Sequence, residues 1–83
     1  MNQSIEFPER EWWNAEYQAV CFIALVNGFQ VTCAISSAAL SVRYGRDASP
    51  LTTFQQHRWD LEDEASDAIR DGSEDAQGWV WLS

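Results

Sequence analysis

Lysine is absent from these 83 residues, histidine occurs once, and only two cysteines and two prolines are present. Each shortage excludes something. With five Arg against 13 Asp plus Glu the formal net charge is −8. Such a surface repels phosphate backbones and anionic lipid and favours basic partners. One His and two Cys without a paired-cysteine spacing cannot assemble a zinc site from this chain alone. No apolar run approaches the ~20 residues that a membrane span needs, so no membrane contact is expected. Met1-Asn-Gln-Ser-Ile-Glu6 has no basic region followed by an apolar core, which predicts no secretory leader and makes the cytoplasm the expected location. Nor is there a Gly-rich phosphate loop, a nucleophile elbow or a metal-binding histidine pair, so no cofactor and no catalytic constellation are expected.

What the chain has in quantity is aromatic surface. Five Trp, four Phe and two Tyr each offer about 150–250 Å² of burial. A chain of this length is expected to form a single domain over residues 1–83, with roughly 60–65% of its unfolded surface removed from water.

The organising stretch is a hairpin. Asn27-Gly28 stands between two apolar runs, and a type I′ turn needs positive φ at both central residues. With those two residues in the turn, Val26 faces Phe29, Ala24 faces Val31, Phe22 faces Cys33 and Val20 faces Ile35. All eight are apolar and define the core face. Leu25 opposite Gln30, Ile23 opposite Thr32 and Cys21 opposite Ala34 form a second face, too apolar for open water. Cys21 and Cys33 then point to opposite faces and cannot bond to each other. A one-residue slip would exchange the faces, so the pattern pins the register.

Around the hairpin the signals are local. Ser4 to Phe7 alternates and stops at Pro8, which predicts a short edge strand. Residues 9–16 read as a charged connection carrying Trp12 and Trp13, one of which, or a second copy of the chain in a homodimer, is expected to cover the second face. Ser36 is an N-cap and Gly45 a C′ residue, predicting a helix over 37–44. Ser49-Pro50 starts a second helix that should run to about Asp71, where Gly72 ends it. Its apolar stripe is Leu51, Phe54, Leu61, Ala65, Ala68 and Ile69; the opposite stripe is Asp60, Asp63, Glu64, Asp67 and Asp71. Trp79 to Leu82 alternates and predicts a last strand. The expected architecture is α+β: a small antiparallel sheet built on a central hairpin, with two helices packed on one face.

Ala24-Leu-Val-Asn-Gly-Phe-Gln-Val-Thr-Cys-Ala-Ile-Ser36, His57-Arg-Trp-Asp-Leu-Glu62 and Asp75-Ala-Gln-Gly-Trp-Val-Trp-Leu82 resemble the YrdB-like family of short uncharacterised bacterial proteins (domain of unknown function 1488). The likeness covers nearly the whole chain. It implies a compact α+β domain in a bacterial cytoplasm and brings no catalytic residues. The chain departs from the family pattern at Ile23, where proline is expected, and in a slightly shorter connection between the helices.

One cluster has chemical potential. Arg58 falls inside the apolar arc of its helix, near Phe54 and Ala65 by angle, and must reach solvent or find a carboxylate. Arg58 and His57 are therefore candidates for a structural ion pair or an anion site. His57 as a general base would need a nucleophile or an orienting partner, and none is evident. Trp59 points away from the apolar stripe, with Asp60, Asp63 and Asp67 near it, and these four are the candidate contact for a basic protein segment. The acids lack the looped geometry that gathers oxygens on calcium. The favoured reading is a small, non-enzymatic interaction protein with an acidic surface. The alternatives are a DNA-binding regulator, suggested by the helix–loop–helix order but opposed by the missing basic patch, and a small enzyme whose site is not apparent.

Overall fold

Asn27 and Gly28 adopt φ of 52° and 85°, the left-handed pair that a type I′ turn requires. They join β3 (Ala19–Val26) to β4 (Phe29–Ser36). Every cross-strand pair follows the expected register, from Val26 opposite Phe29 to Val20 opposite Ile35. Asn27 also holds the start of the chain: its N–H donates to Ser4 O at 2.8 Å and its Oδ1 accepts from Ser4 N at 3.0 Å. The computed structural model describes residues 3–83; Met1 and Asn2, on which part of the leader reading rests, lie outside the described residues.

Three strands flank this hairpin. β1 (Ile5–Glu6) pairs with the distal end of β3 and is the expected edge strand. The segment read as a charged connection contains a second strand, β2 (Glu11–Asn14), which pairs antiparallel with the other half of β3. Four residues, 7–10, lie opposite only Ile23 and Ala24, so Pro8 sits in a bulge where no ladder bond is required of it. The alternation in β2 is hidden because both faces carry a Trp. Register places Trp12 beside Cys21 on the outer face and Trp13 beside Val20 on the helix face. β3 passes Ile23 unbroken, paired with Thr32. At the far edge β5 (Val80–Leu82) runs parallel to β4. The sheet is thus mixed and mostly antiparallel, in the order β1–β3–β4–β5 with β2 alongside β3. A parallel return became possible because the helices cross over between β4 and β5.

The helices cover the core face. α1 (Ser37–Tyr44) is capped by Ser36 Oγ, which accepts from Ala39 N at 3.0 Å, and ends at Gly45. α2 (Pro50–Gln56) starts at Ser49, whose side chain accepts from Thr52 N. The single long helix expected from Pro50 onward breaks at His57 (φ −115°, ψ 21°), and α3 (Arg58–Arg70) follows. His57 N–H is shared between Thr53 O and Phe54 O. Neither Gly nor Pro marks this break; the His57 ring stacks on Tyr44 of α1 with centroids 3.6 Å apart, a tertiary contact that local pattern does not carry. Beyond Asp71, Ser73 N bonds to Ala68 O and Gly72 N to Ile69 O, the paired bonds of a Schellman stop. Phe22, Phe54, Leu61, Ala65 and Ile69 pack in one core with Leu40, Val80 and Leu82.

The outer face has its own cover. Cys21 and Ile23 are buried, as expected, and both cysteines are free. The cover includes a residue that the expectation did not name. Trp79 packs on Ala19, Cys21 and Ala34, and Tyr17 meets Trp79 and Trp81 edge-on at 5.4 and 5.9 Å. Trp12 shares this face, whereas Trp13 lies on the other and cannot contribute. Asp75 orders the layer. Its Oδ1 accepts from Gln77 N and Trp79 N at 2.8 and 2.9 Å, and its Oδ2 accepts from Trp81 Nε1 at 3.1 Å. These donors hold the Asp75 carboxyl below its ordinary range, the Trp79 amide most of all.

Two outcomes are expected. Asn27→Ala puts a Cβ without local hydrogen bonds at positive φ and removes the Ser4 contact, a loss of about 1–2 kcal/mol in urea unfolding; Asn27→Gly should lose less, because the turn is kept. Asp75→Ala should release Trp81 and weaken the near-ultraviolet circular dichroism of the Trp79–Trp81 pair, whose rings are 6.0 Å apart. An unchanged spectrum would show that Asp75 does not order these rings.

Candidate functional site

The break between α2 and α3 creates the site. With His57 out of helical geometry, the end of α2 and the first turn of α3 border an open depression of about 490 Å³, which Glu9 of the β1–β2 bulge also lines. Glu9, Gln55, Gln56, His57, Arg58, Trp59 and Asp60 line it. The candidates His57, Arg58, Trp59 and Asp60 therefore come together.

Arg58 is committed to structure. Its Nη2 stands 2.5 Å from Glu11 Oε1 and its Nη1 3.5 Å from Glu62 Oε2. Its guanidinium carbon lies 5.3 Å from the Phe54 ring centroid. The Arg58 and Glu11 side chains are only 16% and 10% exposed. Glu11 Oε1 meets the guanidinium as a close ion contact rather than an aligned hydrogen bond, while Oε2 accepts from Gln55 Nε2 at 3.0 Å. Arg58 is thus the ion pair that joins edge strand to helix, and its charge is already matched by two carboxylates. Burial alone would raise the Glu11 carboxyl, but Arg58 and Gln55 outweigh it and hold it below the glutamate value of 4.5. Glu62 goes the other way, because burial outweighs its longer contact with Arg58. His57 forms no ion pair among the described residues; one face of its ring lies on Tyr44.

The acidic stripe divides into separate environments. Glu64, expected in the solvated stripe, binds Arg43 in a two-pronged pair at 2.6 and 2.7 Å. Arg43 Nη2 also donates to Ser83 O, so one guanidinium ties α1, α3 and the end of β5. The Arg43 hydrogen bonds hold the Glu64 carboxyl below its ordinary range. Asp67 stands 3.8 Å from Arg70 and is partly neutralised two turns below the depression. Asp60 and Asp63 remain exposed beside Trp59, which is 82% exposed. No side-chain hydrogen bond or ion pair among the described residues engages the carboxylates of Asp60, Asp63 or Glu9. Sequence reasoning missed Glu9 and Glu11 because their neighbours come from a bulge and a strand that it read as a plain connection. It also missed the Arg43–Glu64 pair, which only tertiary structure brings together.

A five-stranded mixed sheet with helices on one face, an aromatic layer on the other and this depression at a helix break describe a small α+β protein. Residues 5–82 match the family model described as protein of unknown function (DUF1488), and the chain belongs to that family. It is 56% identical to the uncharacterised protein YrdB of Escherichia coli (strain K12), with 99% of each chain covered, and equally to that of Shigella flexneri. A crystal structure of a DUF1488-family protein of unknown function from Shewanella loihica PV-4 is similar at a TM-score of 0.91 and 30% identity, over 99% of this chain and 94% of that one. All of these relatives are described as uncharacterised or of unknown function, and none supplies a specific activity.

The two glutamates on Arg58 should respond oppositely to pH. Glu11, with a lowered folded value, contributes stability that is present above the unfolded glutamate value and is lost as pH falls through its lower folded one. Glu62, with a raised folded value, opposes folding above the unfolded value, and that cost disappears below it. Glu11→Gln should therefore destabilise by about 1–3 kcal/mol at pH 7 and flatten the acid limb of stability. Glu62→Gln should be near neutral. Urea midpoints from pH 3 to 7 test both, and equal effects of the two variants would contradict the assignment.

Proposed function

We propose that the protein is a cytoplasmic, non-enzymatic binding module whose Trp59 face on α3 holds a basic segment of another protein. One observation carries this reading: an indole left 82% exposed between unpaired carboxylates at the rim of a depression. Exposed Trp is costly in water and is the residue type most concentrated in binding hot spots. Its carboxylate neighbours match cationic side chains, which stack on indole and pair with acids together. Asp60 and Asp63 are the working acids of this face; Asp67 contributes less because Arg70 shares its charge.

The DNA-regulator alternative has less support. Arg43, Arg58 and Arg70 each stand within 4 Å of a carboxylate, and Arg46 in the α1–α2 loop is the single further cation of the helical layer, where a DNA reader is expected to present a basic patch. No helix of the described residues is long and apolar enough to cross a membrane.

A peptide of alternating Gly with Lys or Arg is the probe. Trp59→Ala combined with Asp63→Asn should weaken its binding about tenfold or more, equivalent to roughly 1.4 kcal/mol. The thermal midpoint should barely move, since exposed substitutions usually stay within about 0.5 kcal/mol. Binding should also weaken as salt rises. Unchanged affinity in the double variant, or a large drop in midpoint from Trp59→Ala alone, would remove the basis for the proposal.

A further inference from the structure

We infer that the depression at the α2–α3 break is the seat of a single arginine side chain, its guanidinium stacked on Trp59 and paired with Asp60 and Glu9. This rests on the basic-segment reading and adds to it a defined pocket, a residue outside α3 and a preference for Arg over Lys.

The charge of the lining selects a cation. Three charged residues with definite sign border the depression, Glu9, Arg58 and Asp60. Arg58 faces Glu11 and Glu62, so an incoming anion finds its guanidinium already matched. Glu9 and Asp60 have no partner among the described residues and come from different elements, one from the β1–β2 bulge and one from the first turn of α3. The carboxyl end of α2 and the amino end of α3 meet at this point, and their opposed partial charges largely cancel. Side-chain charge then decides, and it is negative.

The shape of the lining selects a guanidinium. A planar, weakly hydrated cation with five donors stacks on an indole face while serving two acids at separate positions. The Gln56 side-chain carbonyl, also without a partner among the described residues, can take another N–H. An ammonium is a compact, strongly hydrated point charge; it has no planar face to stack on the indole and must give up more hydration to meet the acids. At about 490 Å³ the depression has ample room for one long side chain with its water, and the rest of the segment would extend toward the Asp63 side of α3.

Three peptides of equal length, carrying Arg, Lys or the neutral isostere citrulline, separate the outcomes in titrations of the full chain followed by NMR. The Arg peptide should bind about fivefold tighter than the Lys peptide or better, and should shift the Trp59 indole N–H; citrulline should not bind. Glu9→Gln with Asp60→Asn, both at exposed positions, should weaken the Arg peptide about tenfold and abolish the preference over Lys. Asp63→Asn should weaken both peptides alike and keep the preference. Equal binding of Arg and Lys peptides, or a Glu9→Gln/Asp60→Asn variant that still prefers Arg, overturns the pocket while the basic-segment reading stands. Failure of both cationic peptides to bind overturns both.

Discussion

The constraint on which the rest depends is the two-residue turn at Asn27-Gly28. Because side chains alternate with a period of two, choosing those residues as the turn assigns every residue from Ala19 to Ser36 to one face or the other. The helix face receives Val20, Phe22, Ala24, Cys33 and Ile35, which close on Phe54 and Leu61. The outer face receives Cys21 and Ala34, which Trp79 covers. Two covers are needed, since neither face is polar enough to stay wet. The chain makes one from helices and the other from aromatic side chains that Asp75 holds in place. Cys33 shows how dry the first face is: burial pushes its thiol up to about 12.

Two arginines join these layers at their edges. Arg43 draws α1, α3 and the end of β5 together, and Arg58 connects α3 to β2. Both sit at intermediate depth, where a guanidinium can keep its stem in apolar surroundings and its head against a carboxylate. Removing the arginine would leave a half-buried carboxylate without compensation, which is why such pairs are more expensive to break than they are favourable to form. The same arrangement shapes the surface. It turns two of the five arginines into the seams, where carboxylates meet them, and leaves Asp60 and Asp63 of α3 exposed without an ion pair among the described residues.

Legibility in the sequence followed the range of the interaction. The hairpin register, both N-caps, Gly45, Gly72 and the apolar stripe of α3 are set by neighbours within a few residues, and all were readable. The strand at Glu11–Asn14 was not, because Trp12 and Trp13 belong to opposite faces and their adjacency erases the alternation. The break at His57 was not, since the stripe from Phe54 to Leu61 continues in phase across it, while the ring that His57 stacks on, Tyr44, is 13 residues away. The parallel direction of β5 follows from a crossover, which local pattern does not encode. For the candidate site, the side chains His57 to Asp60 were legible as a cluster; the cavity and Glu9 were not, because both exist only where a bulge meets a helix break.

That dependence also bears on why Trp59 stands where it does. In an unbroken helix from Pro50 to Asp71, position 59 would project from a continuous cylinder, an exposed indole with no recess beside it. At the break at His57 a depression lies next to the indole, and Glu9 of the β1–β2 bulge lines it as well. The bulge in turn exists because β1 and β2 pair with β3 in registers that differ by two residues, and Glu11 on β2 anchors Arg58 at the start of α3. Edge strand, ion pair and helix break are therefore coupled. Shifting β2 would move the Glu11 anchor, and with it the first turn of α3 that carries both Trp59 and Asp60.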